Sequence, residues 1–137
     1  MINILIDSDV ILDSLLNRQP FSSDSSKVLT LCESKNFQGF VTGIIIANIY
    51  YLLKKEHSSQ RILEAIKQLL TFLDVLVIDK NTILQSIESE FGDFEDALQN
   101  YSAESYGSIN AIITRNIKDY KKSSLSILTP EMFLKTL

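Results

Sequence analysis

The start of the chain constrains the fold most. Residues 2–6 are a short apolar run rich in β-branched isoleucine, and the run stops at an acid, Asp7. A strand with no polar face belongs inside a parallel sheet, where helices cover both sides. Similar runs return at residues 36–41 behind a turn, at 73–78, at 109–113 and, shorter, at 126–128. Between them the apolar residues change to helical spacing. Val10, Ile11, Leu12, Leu15 and Leu16 form one set, ended by the Asn17-to-Pro20 breaker. Residues 21–34 resume it, with Ser22 or Ser23 as N-cap. Ile45, Ile46, Ile49, Tyr50, Leu52 and Leu53, behind Thr42 or Gly43, predict a third helix. Ile62, Ala65, Ile66, Leu69 and Leu70, behind Ser58 and Ser59, predict a fourth. Asp79 caps residues 81–89, residues 93–106 form a helix closed by Gly107, and Thr129 with Pro130 opens the last.

The predicted order is β-α-α-β-α-α-β-α-α-β-β-α. Strands alternating with helices imply an α/β fold with a mainly parallel sheet of four or five strands, in one domain covering residues 1–137. With 4 glycines and 2 prolines the chain favours long regular elements, and with 45% hydrophobic residues it can build a core without disulfides. It has none to use, because Cys32 is alone, in an apolar helical run that reads as core. The N-terminus lacks a basic segment and meets Asp7 at once, unlike a signal peptide. No apolar run approaches the roughly 18 residues of a spanning helix. The expectation is a cytoplasmic protein with no membrane association.

A net charge of −4 argues against gripping nucleic acid by phosphate contacts alone. The placement of the acids changes that reading. In open α/β sheets, sites form beyond the carboxyl ends of the strands. The first strand ends in Asp7, with Ser8 and Asp9 next. Asn48 lies on the helix after the second strand. The fourth strand ends in Thr114, followed by Asn116 and Asp119. Asp93 and Asp96 begin the helix that runs antiparallel to that strand, so they share its edge. Clustered carboxylates repel unless a cation neutralises them. Oxygen ligands suit Mg2+ or Mn2+, whereas one histidine and one cysteine do not make an ordinary zinc site. A hard cation in such a site activates water for attack on a phosphodiester and lets an acidic pocket hold an anionic backbone. Structural roles compete: Asp7 and Asp93 as helix caps, Glu90 and Glu95 as solvated surface, His57 as a surface residue at a polar helix end.

Four motifs then carry a family resemblance. LIDSDVILD (residues 5–13), VTGIIIANIYYLLKK (41–55), DFEDALQNYSAES (93–105) and IITRNIKDYKKSSLSILTPEMFL (112–134) stand in order along almost the whole chain. Together they resemble the PIN domains, in particular the small prokaryotic VapC-type toxins. The first has Ser8 and Asp9 where the family signature has Thr and Asn. The resemblance implies a three-layer α/β/α sandwich and Mg2+- or Mn2+-dependent endoribonuclease activity on structured RNA. It also implies a cognate antitoxin partner and a homodimer joined through the helices around residues 44–53 and 62–70. By position it implies Asp7, Asp96, Asp119 and Asn48 as catalytic residues. Asp7, Asp96, Asp93 and Asp119 become metal ligands, and Ser8, Asp9, Thr114 and Asn116 supporting residues. Asn116 stands where many members have an acid, and Asp119 is the nearest carboxylate. The second motif usually offers Glu, and this chain has Asn48, as some members do. That substitution keeps a second reading open, a non-catalytic PIN domain that binds RNA or protein. A flap-type DNA nuclease is a third reading, but those proteins carry further helical elements.

Overall fold

The computed structural model describes residues 1–137. Five strands, β1 (Asn3–Ile6), β2 (Gln38–Thr42), β3 (Leu73–Leu76), β4 (Ala111–Ile113) and β5 (Ser126–Leu128), form one sheet in the order β3-β2-β1-β4-β5. Every pairing is parallel, so the mainly parallel sheet expected from the sequence is wholly parallel. Seven α-helices cover it: α1 (Ser8–Leu15), α2 (Ser22–Glu33), α3 (Gly43–Leu53), α4 (Ser59–Leu69), α5 (Lys80–Ile87), α6 (Phe94–Tyr106) and α7 (Pro130–Leu134). A short 3-10 turn, Ile117–Tyr120, links β4 to β5.

The strand order explains the layers. From β1 the chain moves to β2 and β3 in one direction, then returns past β1 to β4 and β5. Right-handed crossovers place helices on opposite faces when the direction of travel reverses. The helix contacts divide accordingly: α1 touches α2 and α3, α3 touches α4, and α7 packs on α2, whereas α5 packs with α6. The reversal falls between β1 and β4, which are hydrogen-bonded neighbours. Their carboxyl ends therefore form the switch-point crevice in which open α/β sheets build their sites.

The central strands supply the core, with Ile4, Leu5, Ile6, Val41, Ile112 and Ile113 fully buried. Gly39 on β2 has a specific packing reason. A Cβ there would lie 2.6 Å from Leu73 Cδ2 and 2.9 Å from Cys32 Sγ, so β2 can accept α2 and β3 this closely only without a side chain.

Four caps expected from sequence form as hydrogen bonds. Thr42 accepts from Ile45 N, Asp79 from Thr82 N, Asp93 from Asp96 N and Thr129 from Met132 N. Gly107 ends α6 with φ of 89°, the left-handed conformation that favours glycine. One expectation needs correction. Phe21, not Ser22 or Ser23, occupies the cap position of α2 and makes no side-chain cap; Ser22 Oγ bonds to Asn17 instead. The apolar positions of α3 and α4 serve the core: Ile45, Ile49, Leu53, Ile62, Ile66 and Leu69 are buried. Tyr51, Leu52, Leu63 and Leu70, on or directly after these helices, stay exposed, as do Val75 and Val77 beside the sheet edge and Ile83, Leu84 and Ile87 on α5. No helix is long and apolar enough to cross a membrane.

Candidate active site

Asp7 sits where β1 becomes α1, and the local geometry shows why it is an acid. It is the N-cap of α1, and its Oδ1 accepts from Ser8 N at 2.8 Å. The capping reading is therefore correct, but only one carboxylate oxygen is used. Oδ2 turns towards β4 and accepts from Thr114 Oγ1 at 3.0 Å and from the Tyr120 hydroxyl at 3.3 Å. Asp7 is 7% exposed. Burial pushes its carboxyl up and Asp119 adds to the push; Ser8 N–H, Thr114 and Tyr120 oppose both. Asp7 is thus a buried carboxyl whose ionised form is disfavoured by burial and supported by three donors.

Asp96 enters from α6. Asp93 caps that helix, which sets Asp96 in its first turn and half-buries its side chain. Its carboxyl is pushed up to about 7, first by burial and then by the charges of Asp7, Asp93 and Asp119, against a lowering contact from Tyr120. Asp7, Asp93, Asp96 and Asp119 thus lie within electrostatic reach of one another, from three separate segments. Asp119 is exposed in the turn after β4 and lines a shallow cleft of about 340 Å³ with Arg115, Asn116, Ile117 and Lys118.

Asp9 does something the sequence did not indicate. Its Oδ2 accepts from Arg115 N at 3.1 Å and from Asn116 Nδ2 at 3.1 Å, so it staples the segment after β4 onto α1. Asn116 consequently acts as a donor to Asp9, not as a replacement acid. Burial and the Asp7 charge push the Asp9 carboxyl up to about 6, although Arg115 opposes them. The other oxygen, Oδ1, is buried without a hydrogen-bond partner.

Asn48 makes its side-chain hydrogen bond to a neighbour of Asp96 on α6. Its Nδ2 donates to Glu95 Oε2 at 3.1 Å. Glu95, expected to be plain solvated surface, is exposed but tied by this bond to the position where the second motif usually carries Glu. Ser8 contributes its backbone N–H to Asp7.

Sequence reasoning missed two further features. Asp13, fully buried, receives Arg115 Nε at 2.5 Å and Nη2 at 3.1 Å, and Arg18 Nη1 at 3.5 Å. Tyr120, 1% exposed, directs its hydroxyl at the acids. The available signals were an acid ending an apolar motif and a hydroxyl at an otherwise apolar aromatic position.

The cluster fits a divalent cation of a particular kind. Nowhere do three acidic, histidine or cysteine side chains converge into a ready-made cage. Mg2+ and similar ions do not need one, because they keep several waters and take one or two protein carboxylates plus substrate phosphate. The uncompensated charge around Asp96 and the unpartnered Asp9 oxygen are what such an ion would relieve.

A pH dependence follows. The Asp96 carboxyl titrates higher in the fold than in the unfolded chain, so its proton favours the native state. Its contribution is full below about pH 4, where both states are protonated, and is lost progressively as pH rises from about 4 through about 7. In chelator, the melting temperature of the wild type should fall relative to Asp96→Asn between pH 5.5 and 8. Parallel curves would refute the assigned burial of charge.

Comparisons with known proteins bear on the family and the fold. A sequence model of the PIN domain matches residues 3–118. No curated protein sequence matches the chain. Among solved structures, a toxin–antitoxin complex from Klebsiella pneumoniae superposes with a TM-score of 0.70 at 22% identity, covering 93% of this chain and 97% of that one. DNA-bound VapBC from Salmonella typhimurium gives 0.70 at 16%, covering 95% and 99%. VapC20 of Mycobacterium tuberculosis, a sarcin-ricin loop cleaving toxin, gives 0.62 at 14%, covering 80% and 86%. At these identities the structural likeness establishes the fold.

Proposed function

The chain belongs to the PIN-domain family, and on that premise we propose that it is a divalent-metal-dependent endoribonuclease of the toxin type. The observation that carries this reading is the placement of Asp7. It is a buried, donor-surrounded carboxylate at the β1–β4 switch point, within electrostatic reach of Asp96 and Asp119.

Asp7 and Asp96 would hold the cation, with Asp119 and Asp93 completing the negative field. When bound, Mg2+ or Mn2+ lowers the pKa of a water and neutralises charge on the scissile phosphate. The protein supplies the rest. Thr114 fixes Asp7 from β4, and Asp9 fixes the segment that carries Asp119. Arg115 is committed to Asp13, so the exposed Lys118 and Lys121 are the cations free to meet RNA phosphates near the acids. The similar solved structures include toxin–antitoxin complexes, which supports a cognate antitoxin as this protein's partner and a cytoplasmic setting. The exposed Tyr51 and Leu52 on α3 and Leu63 and Leu70 at α4 offer apolar surface for a homodimer, and Val75, Val77, Ile83, Leu84 and Ile87 offer more.

One observation favours a second reading, a PIN domain that binds without cutting. Residue 48 is Asn, and its amide is bonded to Glu95, so the second motif brings no carboxylate of its own to the acids around Asp7. Incubation of the purified protein with structured RNA separates the two. The nuclease reading expects cleavage with Mn2+, none in chelator, and none from Asp96→Asn. Retention of RNA without cleavage in Mn2+ would establish the binding module.

A further inference from the structure

The buried tyrosine beside the acids is more than packing. Tyr120 ends the 3-10 turn after β4, and its ring packs edge-on to Phe91 at 6.2 Å. A phenylalanine would fill the same volume without burying a hydroxyl, and a buried hydroxyl costs free energy unless it is bonded. This one is bonded on both sides. It donates to Asp7 Oδ2 at 3.3 Å and accepts from Gln99 Nε2 at 3.2 Å, and the Asp96 carboxylate lies alongside it.

Gln99 makes the arrangement directional. It is 2% exposed and one helical turn beyond Asp96 on α6, so both side chains share a face. A hydroxyl has one proton. With Gln99 donating into the phenolic oxygen, that proton is free to point at Asp7. The reversed amide would present an acceptor, draw the proton away and leave Asp7 facing a lone pair, so the donating orientation is the consistent one. It also leaves Gln99 Oε1 buried with no partner. An amide that gives up one hydrogen bond in order to orient a hydroxyl at a carboxylate has a positioning role.

We propose that Tyr120, oriented by Gln99, is a positioning residue that holds Asp7 against Asp96 in the arrangement that receives the divalent cation. This rests on the reading of the acids as a metal site. Tyr120 touches neither substrate nor cation. It acts through Asp7, as a third donor beside Ser8 N–H on Oδ1 and Thr114 Oγ1 on Oδ2, and its hydroxyl links Asp7 to Gln99 on α6. Groups that orient metal ligands in this way set affinity as well as rate.

The test is calorimetric titration of the full chain with Mn2+, followed by steady-state cleavage of a structured RNA. Tyr120→Phe keeps the ring and should weaken Mn2+ binding by about 10- to 100-fold. It should lower kcat while KM for RNA stays near the wild-type value. Gln99→Met, which leaves the phenol in place, should weaken Mn2+ binding in the same direction but less. The double variant should match Tyr120→Phe alone, because Gln99 acts through the hydroxyl. If Tyr120→Phe does not fold, Gln99→Met decides the matter by the same titration. Wild-type Mn2+ affinity in the variant that folds overturns the positioning role and leaves the metal site standing. A wild-type protein that takes up no Mn2+ at millimolar concentration overturns the metal reading and this inference together.

Discussion

Arg115→Met is expected to destabilise the fold by about 3 kcal/mol, read as a fall in the urea midpoint at unchanged slope. Asp13 is fully buried on α1, and Arg115 meets both of its oxygens from the segment after β4. Breaking a buried pair from one side strands the remaining charge in a medium that solvates it poorly, at a cost of about 3–5 kcal/mol. The lower end applies because Arg18 still reaches Asp13 Oδ1 at 3.5 Å. The loss also removes the guanidinium stacked 4.1 Å over the Phe21 ring, which contributes about 0.5–1 kcal/mol at a partly exposed site. Adding Asp13→Asn to Arg115→Met should recover part of the stability, since the stranded charge is then gone. A single variant as stable as the wild type would show that the ion pair does not hold this edge together. The same change should reach the site. The backbone N–H of residue 115, which Met keeps, bonds Asp9, and Asp119 follows four residues later, so freeing the side chain from Asp13 loosens the segment that carries both. Weaker Mn2+ binding should therefore accompany the lower midpoint.

Asp7→Asn should have the opposite signature, with function lost and stability kept. Cleavage in Mn2+ is expected to fall by about 100-fold or more, because the buried ligand at the switch point loses its charge. Mn2+ binding should become undetectable by calorimetry at millimolar metal. The fold should not suffer. The Asp7 carboxyl is pushed up chiefly by burial, so at neutral pH its ionised form is a burden on the metal-free native state. A neutral amide removes that burden and still presents an oxygen to Ser8 N–H. The melting temperature in chelator at pH 7.5 should equal or exceed that of the wild type, and the gap should close towards pH 4, where the acid itself is protonated. An Asp7→Asn protein that binds Mn2+ as tightly as the wild type would remove Asp7 from the site. A large loss of stability would mean that the carboxylate serves the fold first.

Most of what was legible in the sequence is local. Thr42, Asp79, Asp93 and Thr129 cap helices because an oxygen at one position meets an N–H three residues on, a relation contained in any short window. The buried strands were legible because residues such as Ile4 and Leu5 have no polar alternative to the interior. Where local signals competed, reading failed. Two serines offered themselves as caps for α2, yet Ser22 is drawn off by Asn17 and the helix begins on Phe21 without a side-chain cap. Glu95 is on the surface as expected, but its bond to Asn48 was not legible, because the two lie 47 residues apart.

Asp7 shows where the boundary falls. The sequence by itself determined that an acid would end the first buried strand and open a helix, since a run of isoleucines and a capping side chain are matters of composition and adjacent backbone. It also placed Asp96, Asp119 and Thr114 at the same sheet edge, through the alternation of strands and helices. Only the tertiary structure decided that β4 lies directly beside β1, and with it which oxygen of Asp7 is held by Thr114 and Tyr120, which acid staples the segment after β4, and which pairs with Arg115. These contacts join residues more than 100 positions apart. They exist because the chain reverses direction once across the sheet and the crossovers keep one hand, a consequence of how all the layers pack together that no single segment encodes.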